Sequence, residues 1–288
     1  MNELAGRRCL VTGASRGLGA AIARGFSSAG AELLLVARSG DALMRLGDEL
    51  EGRGGARVHV FVCDLASADA PARIADEAGR CFGGLSVLVN NAALQGPIGQ
   101  VWENDWGEWE RTLRVNLLAV VDLSRRCVPL LARERGGKII NVSGGGATSP
   151  RARFTAYGTA KAGVVRFSET LAEEAASLGI AVNCVAPGAM DGAMTDCILA
   201  AGAARAGEKE CADALRTQAE GQKATERAAD LCTFLASPQS EGITGKLISA
   251  VWDPWRTLSA RCDELASSDV YTLRRIVPKD RGLDWDSR

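Results

Sequence analysis

The 288 residues of this chain carry 34 basic and 35 acidic side chains, for a formal net charge of −1, and 47% of them are hydrophobic. A nearly neutral chain lacks the basic excess of a protein that binds nucleic acid in bulk. The single histidine, His59, excludes any zinc site that needs two or more imidazole ligands. We therefore expect neither a nucleic-acid partner nor a metal.

The nine cysteines are scattered, odd in number and without any CxxC pair. Several lie inside apolar runs, which is typical of small buried hydrophobic residues in a reducing compartment. The N-terminus has no apolar stretch behind its positive charges, and no run of about 18 apolar residues occurs anywhere. We expect a cytoplasmic protein without a membrane partner.

Short apolar segments alternate with amphipathic segments along the chain. We predict strands at residues 9–12, 33–36, 58–62, 86–89, 138–142, 181–185 and 246–249. We predict helices between them, at residues 18–29, 41–50, 70–82, 106–131, 155–178 and 225–235. Continuously apolar strands that alternate with helices indicate a parallel sheet covered on both faces. The expected fold class is α/β, a Rossmann-like doubly wound parallel sheet of about seven strands.

Two segments interrupt this alternation. Residues 190–223 are rich in alanine, glycine and charge, and we expect them to form a helical lid over a substrate site. Residues 1–252 are expected to form one cofactor-binding domain. Residues 253–288 are a C-terminal extension, expected to pack on the same domain or on a neighbouring subunit, because its exposed aromatic side chains would otherwise promote aggregation.

A glycine-rich turn, residues 12–19, joins the first predicted strand to the first helix. Its glycines let the backbone approach a pyrophosphate, and the helix N-terminus offers free amides and a partial positive charge. The predicted cofactor contacts in this turn are Gly13, Ser15, Arg16, Gly17, Leu18 and Gly19. The alternative is an ordinary strand-to-helix turn.

The end of the second predicted strand indicates which dinucleotide is bound. NAD-binding folds usually have an acidic residue there, which holds the ribose 2′-hydroxyl. Here the strand is followed by Ala37, Arg38 and Ser39, without a carboxylate. Because guanidinium groups pair well with phosphate, Arg16 and Arg38 suit a 2′-phosphate. We favour NADP(H) over NAD(H); the alternative is that Arg38 is a solvated surface cation.

Tyr157 and Lys161 lie four positions apart in a predicted helix, so they share one helix face. A phenol with a reference pKa of about 10 is a poor acid–base group at neutral pH. A nearby lysine cation favours the phenolate and lowers that pKa. A tyrosine tuned in this way can donate a proton to a carbonyl oxygen or accept one from an alcohol. The alternative is a chance pair on a helix surface.

Taken together, these motifs resemble the short-chain dehydrogenase/reductase family. The turn matches the family's TGxxxGxG pattern, and Tyr157 and Lys161 match its YxxxK pair. Residues 90–93 have the sequence NNAA, similar to the family's NNAG. Asn116 resembles a helix asparagine of the family, and Pro-Gly at residues 187–188 follows the sixth strand as it does there.

The resemblance covers residues 6–250 and implies an NAD(P)-dependent oxidoreductase, EC 1.1.1.-, that interconverts a carbonyl and a secondary alcohol by hydride transfer. It implies that Tyr157 is the general acid/base and that Lys161 tunes it and binds the nicotinamide ribose. Asn116 would help to hold a water that links Lys161 to solvent, and Asp64 would touch the adenine. The further implied cofactor contacts are Leu65, Asn90, Ala92, Pro187 and Gly188.

The chain departs from the family around the residue that polarises the substrate oxygen. The family has a serine ahead of the tyrosine, but its commonest spacing falls on Gly144, one position after Ser143. We favour Ser143 for this role, because the glycines after it can absorb one extra residue. The alternative is that Ser143 only ends the strand. Gly192 stands where the family often has a threonine, and Thr195 is nearby.

The substrate and the assembly are less constrained by the sequence. Arg151 and Arg153 precede the catalytic helix and would suit an anionic substrate, although we favour the interpretation that they are solvated on a loop. We expect a small-molecule carbonyl or alcohol substrate and a homodimer or homotetramer. The alternative functions are a catalytically silent nucleotide-binding or regulatory protein, and an epimerase or lyase on the same scaffold.

Overall fold

The computed structural model describes residues 2–52 and 57–285, and within this part seven strands form one parallel sheet. The strands are β1 (Arg8–Thr12), β2 (Glu32–Ala37), β3 (Val58–Val62), β4 (Val87–Asn90), β5 (Lys138–Val142), β6 (Ala181–Ala186) and β7 (Leu247–Ser249). Their order is β3-β2-β1-β4-β5-β6-β7, so the winding reverses between β1 and β4. This arrangement confirms the predicted doubly wound Rossmann-like α/β fold.

Helices cover both faces of the sheet. They are α1 (Gly17–Ser28), α2 (Gly40–Gly52), α3 (Ala70–Phe82), α4 (Trp106–Leu113), α5 (Ala119–Leu131), α6 (Thr155–Glu174), α7 (Ala193–Ala206), α8 (Glu208–Glu220), α9 (Lys223–Ala236) and α10 (Cys262–Ala266). A π-helical turn at Arg114–Leu118 joins α4 to α5, so the helix predicted at residues 106–131 is helical throughout but not uniform. Within the described residues, no helix combines the length and the apolar content needed to cross a membrane.

The strands are apolar on both sides because each side faces a separate core. Leu33 and Leu35 of β2 point into the core that contains α1 and α9, whereas Leu34 and Val36 point into the core that contains α3 and α5. Successive strand residues alternate between the two faces of a sheet, so a strand buried on both faces needs a continuous apolar run. The pairing in register of β2 with β1 and β3 keeps this alternation consistent across the sheet.

Five cysteines are buried, namely Cys9, Cys63, Cys127, Cys184 and Cys232. Burial raises the pKa of the Cys127 thiol to about 12, so these groups stay protonated and act as small hydrophobic residues. Cys197, by contrast, is exposed and does not behave as a buried hydrophobic residue.

The C-terminal extension packs on its own chain. Trp255, Leu258 and Leu265 enter the core next to α9, and the Trp255 indole Nε1 donates to the Ala250 carbonyl at 3.3 Å. The carbonyl of Tyr271 then accepts a hydrogen bond from the Leu247 amide at 2.8 Å. This contact covers the outer edge of β7, where an unpaired strand would invite pairing with another chain.

Candidate active site

The glycine-rich turn lies between β1 and α1, at the carboxyl ends of the strands where the winding reverses. Two of its glycines are required by close packing: a Cβ on Gly19 would overlap the Gly13 carbonyl oxygen, and a Cβ on Gly13 would lie 2.8 Å from the Ala92 Cα. Gly17 has a φ of +53° and faces open space. The turn therefore fits a dinucleotide, since it leaves free backbone at the start of a helix.

Hydrogen bonds fasten this turn to the end of β4. The Thr12 hydroxyl accepts from the Asn91 amide at 3.0 Å and from the Ala92 amide at 3.2 Å. The Asn91 side-chain amide donates to the Thr12 carbonyl at 2.9 Å. Thr12 and Asn91 were not among the predicted site residues, although both belong to motifs that the sequence displays. They position the backbone that a cofactor would meet.

Arg16 and Arg38, the predicted ligands of a 2′-phosphate, are both exposed. Neither guanidinium has a hydrogen-bond or ion-pair partner within residues 2–52 and 57–285. Asp64 lies just after β3, and its Oδ1 accepts from the Ala66 amide at 3.0 Å, while Leu65 is buried. The predicted adenine side of the site is therefore assembled from the ends of β2 and β3.

Tyr157 and Lys161 are brought together inside the protein, with exposed fractions of 7% and 2%. The Lys161 Nζ lies 5.7 Å from the centre of the Tyr157 ring and donates to the Val142 carbonyl at 2.7 Å. Burial raises the pKa of Tyr157 to about 12, although the charge of Arg151 opposes this. Burial also lowers the pKa of Lys161 to about 8, whereas the Cys184 thiol acts to raise it. Burial thus outweighs the lowering of the tyrosine pKa that was expected from the sequence.

Gly144 lies directly against the Tyr157 hydroxyl. A Cβ on Gly144 would overlap the hydroxyl oxygen and would lie 3.1 Å from both Cε1 and Cζ of the ring. The Ser143 amide donates to the Val185 carbonyl at 2.8 Å, which extends the β5–β6 ladder. The Ser143 hydroxyl is buried and has no hydrogen-bond partner in the described part of the chain. The polarising role of Ser143 stays a prediction.

Asn116 lies at the centre of the π-helical turn and is fully buried. Its Oδ1 accepts from the Leu94 amide, and its Nδ2 donates to the Leu94 carbonyl, both at 2.8 Å. The side chain thereby holds the segment that follows β4. The predicted role of Asn116 in holding a water stays a prediction.

Asn90 was expected to contact the cofactor, but its side chain is hydrogen-bonded inside the protein. Its Nδ2 donates to the Ser124 hydroxyl at 3.0 Å and to the Asn141 Oδ1 at 2.8 Å. The Asn141 Nδ2 in turn donates to the Ser168 hydroxyl at 2.7 Å. These buried side chains tie β4 and β5 to α5 and α6, so Asn90 supports the sheet beneath the cleft instead of presenting its side chain to it.

Beyond β6, Pro187 is buried and Gly188 has a φ of +85°, with a would-be Cβ only 2.6 Å from the Val251 Cγ2. Gly192 is also in a conformation that L side chains rarely adopt, with φ +146°. The Thr195 hydroxyl donates to the Met190 carbonyl at 2.7 Å and is buried. Thr195 therefore stabilises this loop.

The predicted lid forms helices α7 and α8, and two arginines fasten it to the loop before α6. Arg151 makes a two-pronged ion pair with Glu210 of α8, at 2.7 and 3.1 Å. Arg153 donates to the carbonyls of Ala204 and Arg205 at the end of α7. The interpretation of these arginines as solvated was wrong, because each has a partner on the lid.

No group of three or more His, Cys, Asp and Glu side chains in the described residues is arranged to hold a metal ion.

Comparison with known proteins places these features in a family context. The sequence profile described as short chain dehydrogenase matches residues 7–201. Nodulation protein G of Rhizobium sp. (strain N33) is 39% identical over 196 residues, which are 68% of this chain and 78% of that protein. The 3-oxoacyl-(acyl-carrier-protein) reductase of Thermotoga maritima is 32% identical over 249 residues, 85% of this chain and 96% of that protein.

A solved structure is similar over nearly the same span. It is a short chain dehydrogenase from Burkholderia cenocepacia J2315 in complex with NADP, with a TM-score of 0.73 and 30% sequence identity. The similarity covers 86% of this chain and 97% of that one.

Proposed function

Since this chain belongs to the short-chain dehydrogenase/reductase family and is an NAD(P)-dependent oxidoreductase of class EC 1.1.1.-, we propose that Tyr157 is its general acid/base. The substrates of such an enzyme are carbonyls or alcohols. The observation that carries the proposal is the joint burial of Tyr157 and Lys161 beside the end of β5. Two ionisable groups held together inside a protein are typical of a site where protons move.

When bound, a nicotinamide dinucleotide would supply or accept the hydride at the reacting carbon. Tyr157 donates its proton to the oxygen when a carbonyl is reduced and accepts one when an alcohol is oxidised. Because burial keeps the pKa of Tyr157 near 12, the protonated form prevails at neutral pH, which suits reduction. Lys161 provides a positive charge that favours the phenolate once the proton has left. Ser143 is the proposed partner of Tyr157 in polarising the substrate oxygen.

A substrate screen that follows NADPH absorbance tests this function. We expect turnover with at least one carbonyl compound, and a loss of about 100-fold or more in the Tyr157→Phe variant, the usual range for a general acid. Undiminished turnover in the variant would contradict the role of Tyr157. A Ser143→Ala variant in the same screen shows whether its hydroxyl contributes; unchanged turnover would mean that Ser143 only ends the strand.

For the cofactor, we propose NADP(H) over NAD(H). The residues proposed to hold it are the turn from Gly13 to Gly19, the ends of β2 and β3, and residues 187–188. Support comes from the exposed guanidiniums of Arg16 and Arg38 and from the lack of a carboxylate at the end of β2. Calorimetric titration should give NADPH binding at least about tenfold tighter than NADH binding. Equal or tighter binding of NADH would refute the preference.

The second candidate is a catalytically silent nucleotide-binding protein. The observation that favours it is the absence of a hydroxyl side chain at Gly144, which lies directly against the Tyr157 oxygen. The substrate screen separates the two, because the silent protein would bind NADPH without oxidising it.

We further propose a homodimer or homotetramer in the cytoplasm. Support for an assembly comes from Trp102 and Trp106, which are 77% and 63% exposed, since exposed aromatic surface often marks an interface. Support for a reducing compartment comes from the nine free cysteines. Light scattering would give the assembly, and a monomer at all concentrations would exclude it. Cell fractionation tests the location, and recovery with membranes would contradict it.

A further inference from the structure

Arg151 connects the lid to the loop that leads into α6. Its guanidinium pairs with both carboxylate oxygens of Glu210, at 2.7 and 3.1 Å, and the two side chains are only 20% and 25% exposed. The guanidinium also lies over the Phe154 ring, 3.9 Å from its centre. Because the pair is largely withdrawn from solvent, its charges are only weakly screened. Its two parallel hydrogen bonds also fix the orientation of the two side chains.

A run of glycines, Gly144 to Gly146, lies between Arg151 and Tyr157. A Cβ on Gly145 would be 3.6 Å from the Arg151 Nη1, and a Cβ on Gly146 would be 3.3 Å from the Arg151 Cβ. On the other side, Gly144 lies directly against the Tyr157 hydroxyl. The same short run therefore contacts both Arg151 and Tyr157, and it carries no side chain that could stand between them.

The charged and titratable groups around Tyr157 come from four elements. Lys161 lies one turn further along α6, and Cys184 of β6 faces Lys161. Arg151 comes from the loop before α6, and Glu210 reaches this group from α8 through Arg151. Arg153 shares the loop, but its guanidinium is turned to the carbonyls at the end of α7. Arg151 is thus the cation near Tyr157 whose counter-charge is carried by the lid.

We propose that Arg151 is a positioning residue that couples helix α8 to the proton transfer at Tyr157. While Glu210 is paired with Arg151, the positive charge is balanced, and the phenol keeps its proton. When α8 moves away, the unbalanced guanidinium favours the phenolate. The lid position thereby biases how readily Tyr157 releases its proton, and this inference rests on the proposed role of Tyr157 as the acid/base.

Physical support comes from the direction of each influence on the phenol. Burial raises the pKa of Tyr157, and the charge of Arg151 opposes that rise. A carboxylate that pairs with this guanidinium weakens the lowering effect of Arg151 on the pKa of Tyr157. The reason is that opposite charges at contact distance cancel most of their field outside the pair. Glu210 is therefore expected to help to hold the proton on Tyr157 although it does not touch it.

The chain allows a direct measurement, because it has only two tyrosines, Tyr157 and Tyr271. In a Tyr271→Phe background of the full-length chain, carbon-13 at tyrosine Cζ gives one signal, which reports the ionisation of Tyr157 by NMR. This readout needs neither substrate nor cofactor. Failure of the coupling can therefore be told from failure of the proposed function, which the Tyr157→Phe activity screen tests separately.

In this background, Glu210→Gln keeps the size of the side chain but removes its charge, and we expect the pKa of Tyr157 to fall by about one unit. Arg151→Gln removes the cation, and we expect the pKa to rise. The matched control is Arg153→Gln, which loosens the lid from the same loop and should leave the pKa unchanged.

An unchanged pKa in Glu210→Gln would overturn the coupling. So would a fall in Arg151→Gln, or equal falls in Glu210→Gln and Arg153→Gln, because hydration of an opened site would then explain the shift. If Arg151→Gln does not fold, the comparison of Glu210→Gln with Arg153→Gln still decides the matter.

Discussion

At the residue scale, the proposed acid–base role of Tyr157 depends on two influences on its pKa, burial and nearby positive charge. Burial raises the pKa of Tyr157 to about 12 and lowers that of Lys161 to about 8, so it favours the neutral form of both groups. The Lys161 ammonium also donates to the Val142 carbonyl at 2.7 Å. The position of the Tyr157 hydroxyl then matters most, and the missing Cβ of Gly144 leaves room for it.

We predict that Gly144→Ala lowers turnover by about tenfold or more while the protein stays folded. The added Cβ would overlap the Tyr157 hydroxyl oxygen, so the ring must shift from its place. A misplaced acid–base group loses rate steeply with distance. Steady-state kinetics and circular dichroism measure the two effects.

Gly145→Ala is the matched control for that variant. The new Cβ would meet the Arg151 Nη1 at 3.6 Å, which is ordinary van der Waals contact, so a much smaller loss is expected. Equal losses in the two variants would show that the glycine run needs general flexibility and that contact with Tyr157 is not the cause.

At the scale of elements, the C-terminal extension is anchored by Trp255, whereas the tryptophan just before the extension is exposed. Trp255 is 5% exposed and packs against Phe234 of α9, with ring centres 5.6 Å apart. Trp252, three residues earlier, is 85% exposed. The extension therefore belongs to the main core, and it adds apolar burial on the face that contains α1 and α9.

We predict that Trp255→Ala lowers the free energy of unfolding by about 3–5 kcal/mol, because it removes a large buried side chain and leaves a cavity. Trp252→Ala should change it by less than about 0.5 kcal/mol, as expected for an exposed residue. Urea denaturation of the two variants measures both values. Equal stabilities would mean that the extension does not contribute to the core.

At the scale of the whole molecule, the burial of the Lys161 ammonium lowers the stability of the folded state. An amine whose pKa falls from 10.5 to about 8 on folding destabilises the folded state while it is charged there. Between pH 8 and pH 10.5, about the two pKa values, the unfolded chain binds more protons at this lysine than the folded chain does. The contribution of Lys161 to stability therefore improves as the pH rises from about 8 to 10.5.

We predict that Lys161→Met raises the melting temperature at pH 7, and that this gain shrinks towards pH 10.5. The buried cation is removed from the folded state, and its cost disappears in any case as the lysine loses its proton. Differential scanning calorimetry across this range measures the gain. Lys279→Met, at an exposed lysine, is the control and should show no such trend. A gain independent of pH would contradict the explanation.

The fold and the central part of the site were predictable because their signals are local in the sequence. Apolar runs that alternate with helices predict a parallel sheet, and Tyr157 and Lys161 share a face simply because they lie one helical turn apart. The glycine turn is equally local, since the clash at Gly19 involves Gly13 of the same turn.

Contacts between distant segments depended on the tertiary structure. Arg151 and Glu210 are separated by 59 positions, and no pattern along the chain links them. Asn90 meets Ser124 and Asn141 only because β4, β5 and α5 pack together. Burial, which raises the pKa of Tyr157, is likewise a property of the packed molecule. The chain's local patterns thus predict which groups are candidates for the reaction, whereas packing sets their burial, their partners and the contact of Gly144 with the Tyr157 hydroxyl.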